Sequence, residues 1–103
     1  MSDIYWSMKK VRLQRKIGDY KTNLENINDQ YNLMYGRARE LEFSIDGLSE
    51  DADGVKNVKL EIKRIKEAAE RLNRRRTALK DMIDRAKEEL AEAEDNYKQA
   101  ANR

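Results

Sequence analysis

One spacing of residues constrains this chain more than any other feature of its sequence. Between residues 6 and 48 a series repeats at alternating steps of four and three, and Lys10 is its only charged member: Trp6, Lys10, Leu13, Ile17, Tyr20, Leu24, Ile27, Tyr31, Met34, Ala38, Leu41, Ile45, Leu48. We call this series the first seam. A mean repeat of 3.5 residues sustained over six heptads is typical of a helix that packs a narrow apolar stripe against another helix and supercoils with it.

The same spacing returns in the second half of the chain, so the partner helix lies in the same molecule. We call this series the second seam: Val55, Val58, Ile62, Ile65, Ala69, Leu72, Arg76, Leu79, Ile83, Ala86, Leu90, Ala93, Tyr97, Ala100. Polar residues and a glycine at 49–54 separate the two seams and indicate a turn. The sequence therefore predicts an all-α fold in which two long antiparallel helices form a coiled-coil helical hairpin. We expect one domain over residues 1–103, with helix one at about 4–48, the turn at about 49–54 and helix two at about 55–101, each boundary within two to four residues.

Composition supports this interpretation. The chain is 41% charged, 39% hydrophobic and free of proline, which fits long helices better than a compact bundle. Its formal net charge is only +2, so the overall charge gives no reason to expect a nucleic-acid partner. The sequence has no apolar run of about 20 residues, and we expect no membrane span.

Side-chain size and charge both favour pairing of the two helices within one chain. If the residue numbers of facing seam positions add up to 103, most small seam residues meet larger ones; for example, Ala38 faces Ile65 and Ala69 faces Met34. In the same register Trp6 faces Tyr97. The same register brings the basic positions of 9–16 beside the acidic positions of 88–95. An antiparallel hairpin is therefore favoured over a parallel pair of identical chains.

Arg76 is the residue that fits its seam position least well, and it ends the run Arg74-Arg75-Arg76. In the structural interpretation its stem lies along the seam and its charge reaches Glu25 or Asp29, so that it defines the register at some cost in stability. In the alternative interpretation the three arginines bind an acidic partner.

The residues that most catalytic and metal sites require are missing. The chain has no histidine and no cysteine, and two helices alone provide no enclosed pocket in which carboxylates could be activated. We expect no enzymatic activity, no cofactor and no metal site.

Apolar residues outside the seams are the best candidates for a function, because two paired helices can bury only one stripe each. They cluster around the first turns of helix one, where Trp6 on the seam adds to them, and recur nearer the turn. A helical protein partner or self-association is the expected use of such a surface. The predicted partner-binding residues are Ile4, Tyr5, Trp6, Met8, Val11, Leu33, Tyr35 and Phe43.

Ile45-Asp46-Gly47 stands where the first helix is expected to end, and Tyr97 is followed four residues later by Ala101. With its length, its mid-chain turn and its lack of cysteine, the chain resembles the small helical hairpins of bacterial type VII secretion, the W-x-G superfamily, which has a Trp-x-Gly at the first of these places. That family's export signal, a tyrosine followed four residues later by an acidic residue, is absent. The chain is therefore most similar to the divergent hairpins that accompany LXG-type toxins.

This resemblance implies a small non-catalytic adaptor or targeting chaperone that binds the helical N-terminal domain of a secreted toxin and promotes its export. The protein would be cytoplasmic, or secreted together with its partner. The alternative, from a different class of function, is a self-assembling structural coiled coil or a cytoplasmic export chaperone of another secretion system. The sequence does not name the partner.

Overall fold

The computed structural model describes residues 2–102, with Ser2 in its backbone only. The fold is all-α: helix α1 is Ser2–Ser44, helix α2 is Val55–Ala101, and residues 45–54 join them. The predicted helical hairpin is confirmed. Neither helix contains a stretch that is both long and apolar enough to cross a membrane.

Helix α1 begins two residues before its predicted start and ends four residues before its predicted end, whereas α2 has its predicted bounds. The seam spacing continues to Leu48, but the helix stops at Ser44, whose hydroxyl donates a 2.6 Å hydrogen bond to the Leu41 carbonyl. Leu48 is exposed rather than packed. A spacing rule alone does not detect this ending, because the hydrogen bonds of the turn replace those of the helix after Ser44.

The chain divides into two compact units. The first contains residues 2–25 and 77–102 of the described chain, and the second is Asn26–Arg76. Each unit thus contains a part of both helices. The prediction of a single domain stays a prediction.

Burial in each unit follows the two seams. In the first unit the buried side chains are Leu13, Ile17, Ile83, Ala86 and Ala93; in the second they are Ile27, Ala38, Val55, Ile62, Ala69 and Leu72. All of these are seam positions, and no polar or charged side chain is buried among the described residues. The seams are therefore the core, and burial of their large side chains, at roughly 1.5–3 kcal/mol each, is what holds the helices together.

Two ion pairs between the helices report the register of the second unit. Arg37 pairs with Glu61 at 3.9 Å, and Lys66 pairs with Glu42 on the other side of the seam. The residue numbers of these pairs add up to 98 and to 108, on either side of the predicted 103. Positions that flank an antiparallel seam pair in this symmetrical way.

Two glycines shape the connection. Gly47 and Gly54 have φ values of 78° and 80°, a region that other residues rarely adopt. Each is the third residue of a four-residue turn, closed by hydrogen bonds from the Leu48 amide to the Ile45 carbonyl and from the Val55 amide to the Ala52 carbonyl. The connection is therefore two glycine turns that flank a third, in which the Ala52 amide donates to the Ser49 carbonyl.

The connection is tied to α2 by one ion pair. The Lys59 ammonium donates to the Glu50 carboxylate at 2.9 Å. This hydrogen bond, with the attraction of the Lys59 charge, lowers the pKa of Glu50 below its ordinary value of 4.5. Both side chains are exposed, so the pair reports the conformation of the turn and contributes little to stability.

Replacing a seam residue should destabilise the hairpin much more than replacing its exposed neighbour. Ile83 is 6% exposed and Met82 is 41% exposed. Ile83→Ala should reduce the free energy of unfolding by about 2–4 kcal/mol, because it removes buried contacts and leaves a cavity. Met82→Ala should change it by less than about 1 kcal/mol. Urea unfolding followed by circular dichroism measures both, and equal losses would contradict the seam as the core.

The Glu50–Lys59 pair has a pH dependence of known sign. Because the pKa of Glu50 is lowered in the folded chain, its small contribution to stability is present above pH 4.5 and is lost as the pH falls through the folded pKa. In Lys59→Gln the carboxyl of Glu50 should titrate at a higher pH than in the natural sequence. Carbon-detected NMR titration of Glu50 checks this, and an unchanged midpoint would show that the pair does not form in solution.

Candidate helix-binding surface

The first turns of α1 expose a group of large apolar side chains. Ile4, Tyr5, Met8 and Val11 are each more than half exposed, although they lie within eight residues of one another. Ile4, Met8 and Val11 follow one another at steps of four and three, so their side chains lie on one face of the helix. This face carries apolar area that nothing in the described chain covers.

Trp6 links this exposed group to the seam. It is half-buried, the Tyr5 ring meets it edge to face at 4.9 Å, and the Lys9 ammonium lies 5.3 Å from the centre of its ring. Edge-to-face contacts of this kind hold aromatic side chains in defined positions. The contact with Trp6 therefore holds the Tyr5 ring in position, although more than half of Tyr5 is exposed to solvent.

The basic positions in this part of α1 lack the acidic partners that the register led us to expect. No ion pair within 4 Å joins residues 9–16 to the acidic positions at 88–95 of α2 in the described chain. Lys9 and Lys16 instead lie over the rings of Trp6 and Tyr20. The charges of Arg12 and Arg15 are therefore not neutralised at short range, and both side chains are exposed beside Met8 and Val11.

The other three predicted partner-binding residues lie in the second unit and do not behave alike. Leu33 and Phe43 are 74% and 83% exposed. Tyr35 is half-buried, and its ring lies 4.7 Å from that of Tyr31. A hydrogen bond with the Tyr31 side chain, reinforced by the proximity of that phenol, raises the pKa of Tyr35. The eight predicted residues are thus divided between the two units, five in the first and three in the second.

A polar cluster surrounds Arg76 at the end of the second unit. Its guanidinium lies 4.4 Å from the centre of the Tyr31 ring and donates to the amide oxygens of Asn73 at 2.6 Å and of Asn28 at 3.3 Å. The expectation that it reaches Glu25 or Asp29 is wrong, since its partners in the described chain are neutral. The physical reason is position: Asn28 and Asn73 each follow a buried seam residue and are half-buried themselves, so their oxygens lie beside the seam.

Sequence reasoning missed this cluster, although the register contained a signal for it. The numbers of Asn28 and Arg76 add up to 104, one more than the predicted sum for facing positions. Arg76 is the only charged residue of the second seam. Asn73 lies one turn before it in α2 and Asn28 lies across from it in α1, so both could have been recognised as its hydrogen-bond partners. Arg74 and Arg75 are exposed, and the binding of an acidic partner by this run stays a prediction.

The chemistry of this part of α1 is that of exposed apolar and cationic side chains. No group of three Asp or Glu side chains in residues 2–102 could hold a metal ion, and no side-chain nitrogen or oxygen buried there lacks a hydrogen-bond partner. The expected absence of enzymatic activity stays a prediction. What the geometry provides is an exposed apolar face beside two unpaired arginines.

No family model, curated protein or solved structure matches this chain. The resemblance to type VII secretion hairpins therefore stays a prediction. A function for this chain is therefore argued from the geometry of its exposed surface.

Arg76 offers a direct test of the polar cluster. A half-buried cation with neutral partners is held at a cost in solvation, so Arg76→Leu should keep or raise the free energy of unfolding, by up to about 1 kcal/mol, despite the loss of the ring contact. The exposed neighbour provides the control, since Arg75→Leu should change it by no more than about 0.5 kcal/mol. Urea unfolding measures both variants. A loss for Arg76→Leu as large as that for Ile83→Ala would show instead that the cluster is a main source of stability.

Proposed function

We propose that this hairpin is a non-catalytic adaptor that binds a helical segment of a secreted effector and accompanies it to the export machinery. The observation that carries the proposal is the exposure of Ile4, Tyr5, Met8 and Val11 within the first turns of α1. Single exposed apolar residues are ordinary, but four in eight residues form a continuous patch of the kind that marks interaction sites.

A helix is the partner that this patch fits best. Ile4, Met8 and Val11 have the spacing with which one helix contacts another, and their side chains project from a rigid element whose other face is fixed in the core. Such a surface is largely preorganised, so little ordering is required on binding. Tyr5 adds a large ring that Trp6 already holds in position.

The class of effector comes from the resemblance alone. It favours the helical N-terminal domain of an LXG-type toxin, with the adaptor cytoplasmic before export. Leu33 and Phe43 are separate candidate contacts in the second unit, and they are the most exposed large apolar side chains of the described chain. They also favour the second candidate function, a self-assembling coiled coil.

Stability and binding should separate at this surface. Met8→Ser with Val11→Ser should leave the melting temperature of the isolated hairpin nearly unchanged, because both residues are more than half exposed. The same double variant should weaken the complex by about 2 kcal/mol or more, the scale of an interface hot spot. Co-expression with the helical N-terminal domain of an LXG-type toxin, followed by gel filtration and titration calorimetry, measures complex formation.

Met82→Ser is the matched control, since it replaces an exposed apolar residue of α2 and should affect neither property. A double variant that melts as early as Ile83→Ala would show that Met8 and Val11 belong to the core. A natural hairpin that stays monomeric beside the effector and never binds it would contradict the adaptor function. Concentration-dependent oligomers formed without the effector would favour the self-assembling coiled coil.

A further inference from the structure

The exposed face of α1 continues beyond Val11. The steps of four and three that connect Ile4, Met8 and Val11 continue along α1 to Arg15, Gly18 and Thr22, and then to the acidic Glu25. We call the part up to Thr22 the outer stripe: Ile4, Met8, Val11, Arg15, Gly18, Thr22. All six residues are exposed. At 1.5 Å per residue the stripe is about 27 Å long, enough for a partner helix of roughly 20 residues.

The outer stripe lies almost opposite the first seam. Each of its members precedes a seam residue by two positions, as Met8 precedes Lys10 and Val11 precedes Leu13. Two residues correspond to about 200° around a helix of 3.6 residues per turn. In the first unit, α1 therefore has large exposed apolar side chains, Ile4, Met8 and Val11, on the face almost opposite the one that packs in the core.

The two ends of the outer stripe carry side chains of different size. Ile4, Met8 and Val11 project large side chains, whereas Gly18 has none, and a Cβ added there would meet no described atom within 4 Å outside its own chain neighbours and helix backbone. The Thr22 hydroxyl donates to the Gly18 carbonyl at 3.1 Å, so its hydrogen-bonding need is met within α1. A helix on this stripe could thus approach closest at Gly18, as small residues permit at helix interfaces.

The charge around the stripe specifies the partner's chemistry. Arg15 is a member of the stripe, and Arg12 lines a shallow depression with Met8, Val11 and Arg15. In the described part of the chain neither guanidinium lies within 4 Å of a carboxylate. Two further charged residues flank the stripe near Gly18 and Thr22: Lys21 is basic and Asp19 is acidic. A helix that places carboxylates beside its apolar side chains would complement this surface.

A second copy of this chain fits the stripe poorly. Two outer stripes packed antiparallel would bring Arg12 and Arg15 of both copies together, which like charges disfavour. In the first unit, the exposed large apolar residues of α2 are Met82 and Tyr97, which lie 15 residues apart and form no stripe. The occupant is therefore a helix of another protein.

We propose that the outer stripe holds an acidic amphipathic helix of another protein, whose apolar residues pack on Ile4, Met8 and Val11, whose carboxylates pair with Arg12 and Arg15, and whose backbone passes closest over Gly18. This inference rests on the proposed adaptor function and specifies its partner. It goes beyond the apolar patch because it assigns the two arginines and the glycine to binding.

Two synthetic helical peptides provide the test. Both carry leucines at alternating steps of four and three; one has glutamates at the flanking positions and the other has lysines. Fluorescence anisotropy with the full chain should show at least about tenfold tighter binding of the glutamate peptide, corresponding to about 1.4 kcal/mol. The preference should shrink near 1 M salt, where the Debye length is only about 3 Å.

Variants connect the result to the stripe. Arg12→Glu with Arg15→Glu should reverse the preference in favour of the lysine peptide. Gly18→Leu should weaken binding of the glutamate peptide at least about tenfold while stabilising α1, since glycine is a poor helix former. Gly36→Leu is the matched control: it also replaces a helical glycine with open space around it, and it should leave binding unchanged.

The outcomes distinguish this inference from the adaptor function. Equal binding of both peptides, or no effect of Gly18→Leu, overturns the outer stripe as an acidic-helix site. If neither peptide binds although the co-expressed effector does, the stripe proposal is wrong and the adaptor function stands. If the glutamate peptide binds as expected and the effector does not, the stripe is supported and the proposed effector is wrong.

Discussion

The structure depends on the burial of two narrow seams, because neither helix can bury apolar surface without the other. All the described buried side chains are seam residues, and every one is a branched aliphatic side chain or an alanine. A helix of 43 residues gains little from isolated propensity and must be stabilised along its length by such packing. No side chain outside the seams is fully buried in the described chain, which is why exposed apolar residues on α1 are informative.

Much of this architecture could be predicted from the sequence, since a 3.5-residue repeat over many heptads has one common structural solution. The bounds of α2 agree with the prediction because its seam begins directly after Gly54, whose positive φ ends the turn. The end of α1 was placed too late because the apolar spacing continues through Ile45 and Leu48 although the backbone has already entered a turn. Spacing reports which face of a helix is apolar, whereas hydrogen bonds decide where the helix stops.

The candidate site was less predictable, for a physical reason. Apolar residues outside the seams identify exposed surface, and Ile4, Met8, Leu33 and Phe43 are exposed as expected. The partners of charged groups depend on side-chain reach, which a linear pattern does not contain. Arg76 was expected beside a carboxylate and lies between two amides and a ring, while the basic start of α1 lacks its expected acidic neighbours. Sequence patterns thus found the surfaces but not the charge pairing.

Because Arg76 contacts neutral groups, its contacts respond to acid differently from the ion pair at the connection. An amide oxygen and the face of an aromatic ring lose no charge when the pH falls, so the contacts of Arg76 persist. The carboxylate of Glu50, which binds Lys59 at the connection, takes up a proton as the pH falls through its lowered pKa. Acid would therefore release the connection from Lys59 of α2, while the cross-helix contact to Asn28 is kept by Arg76, the residue that fits its seam position least well.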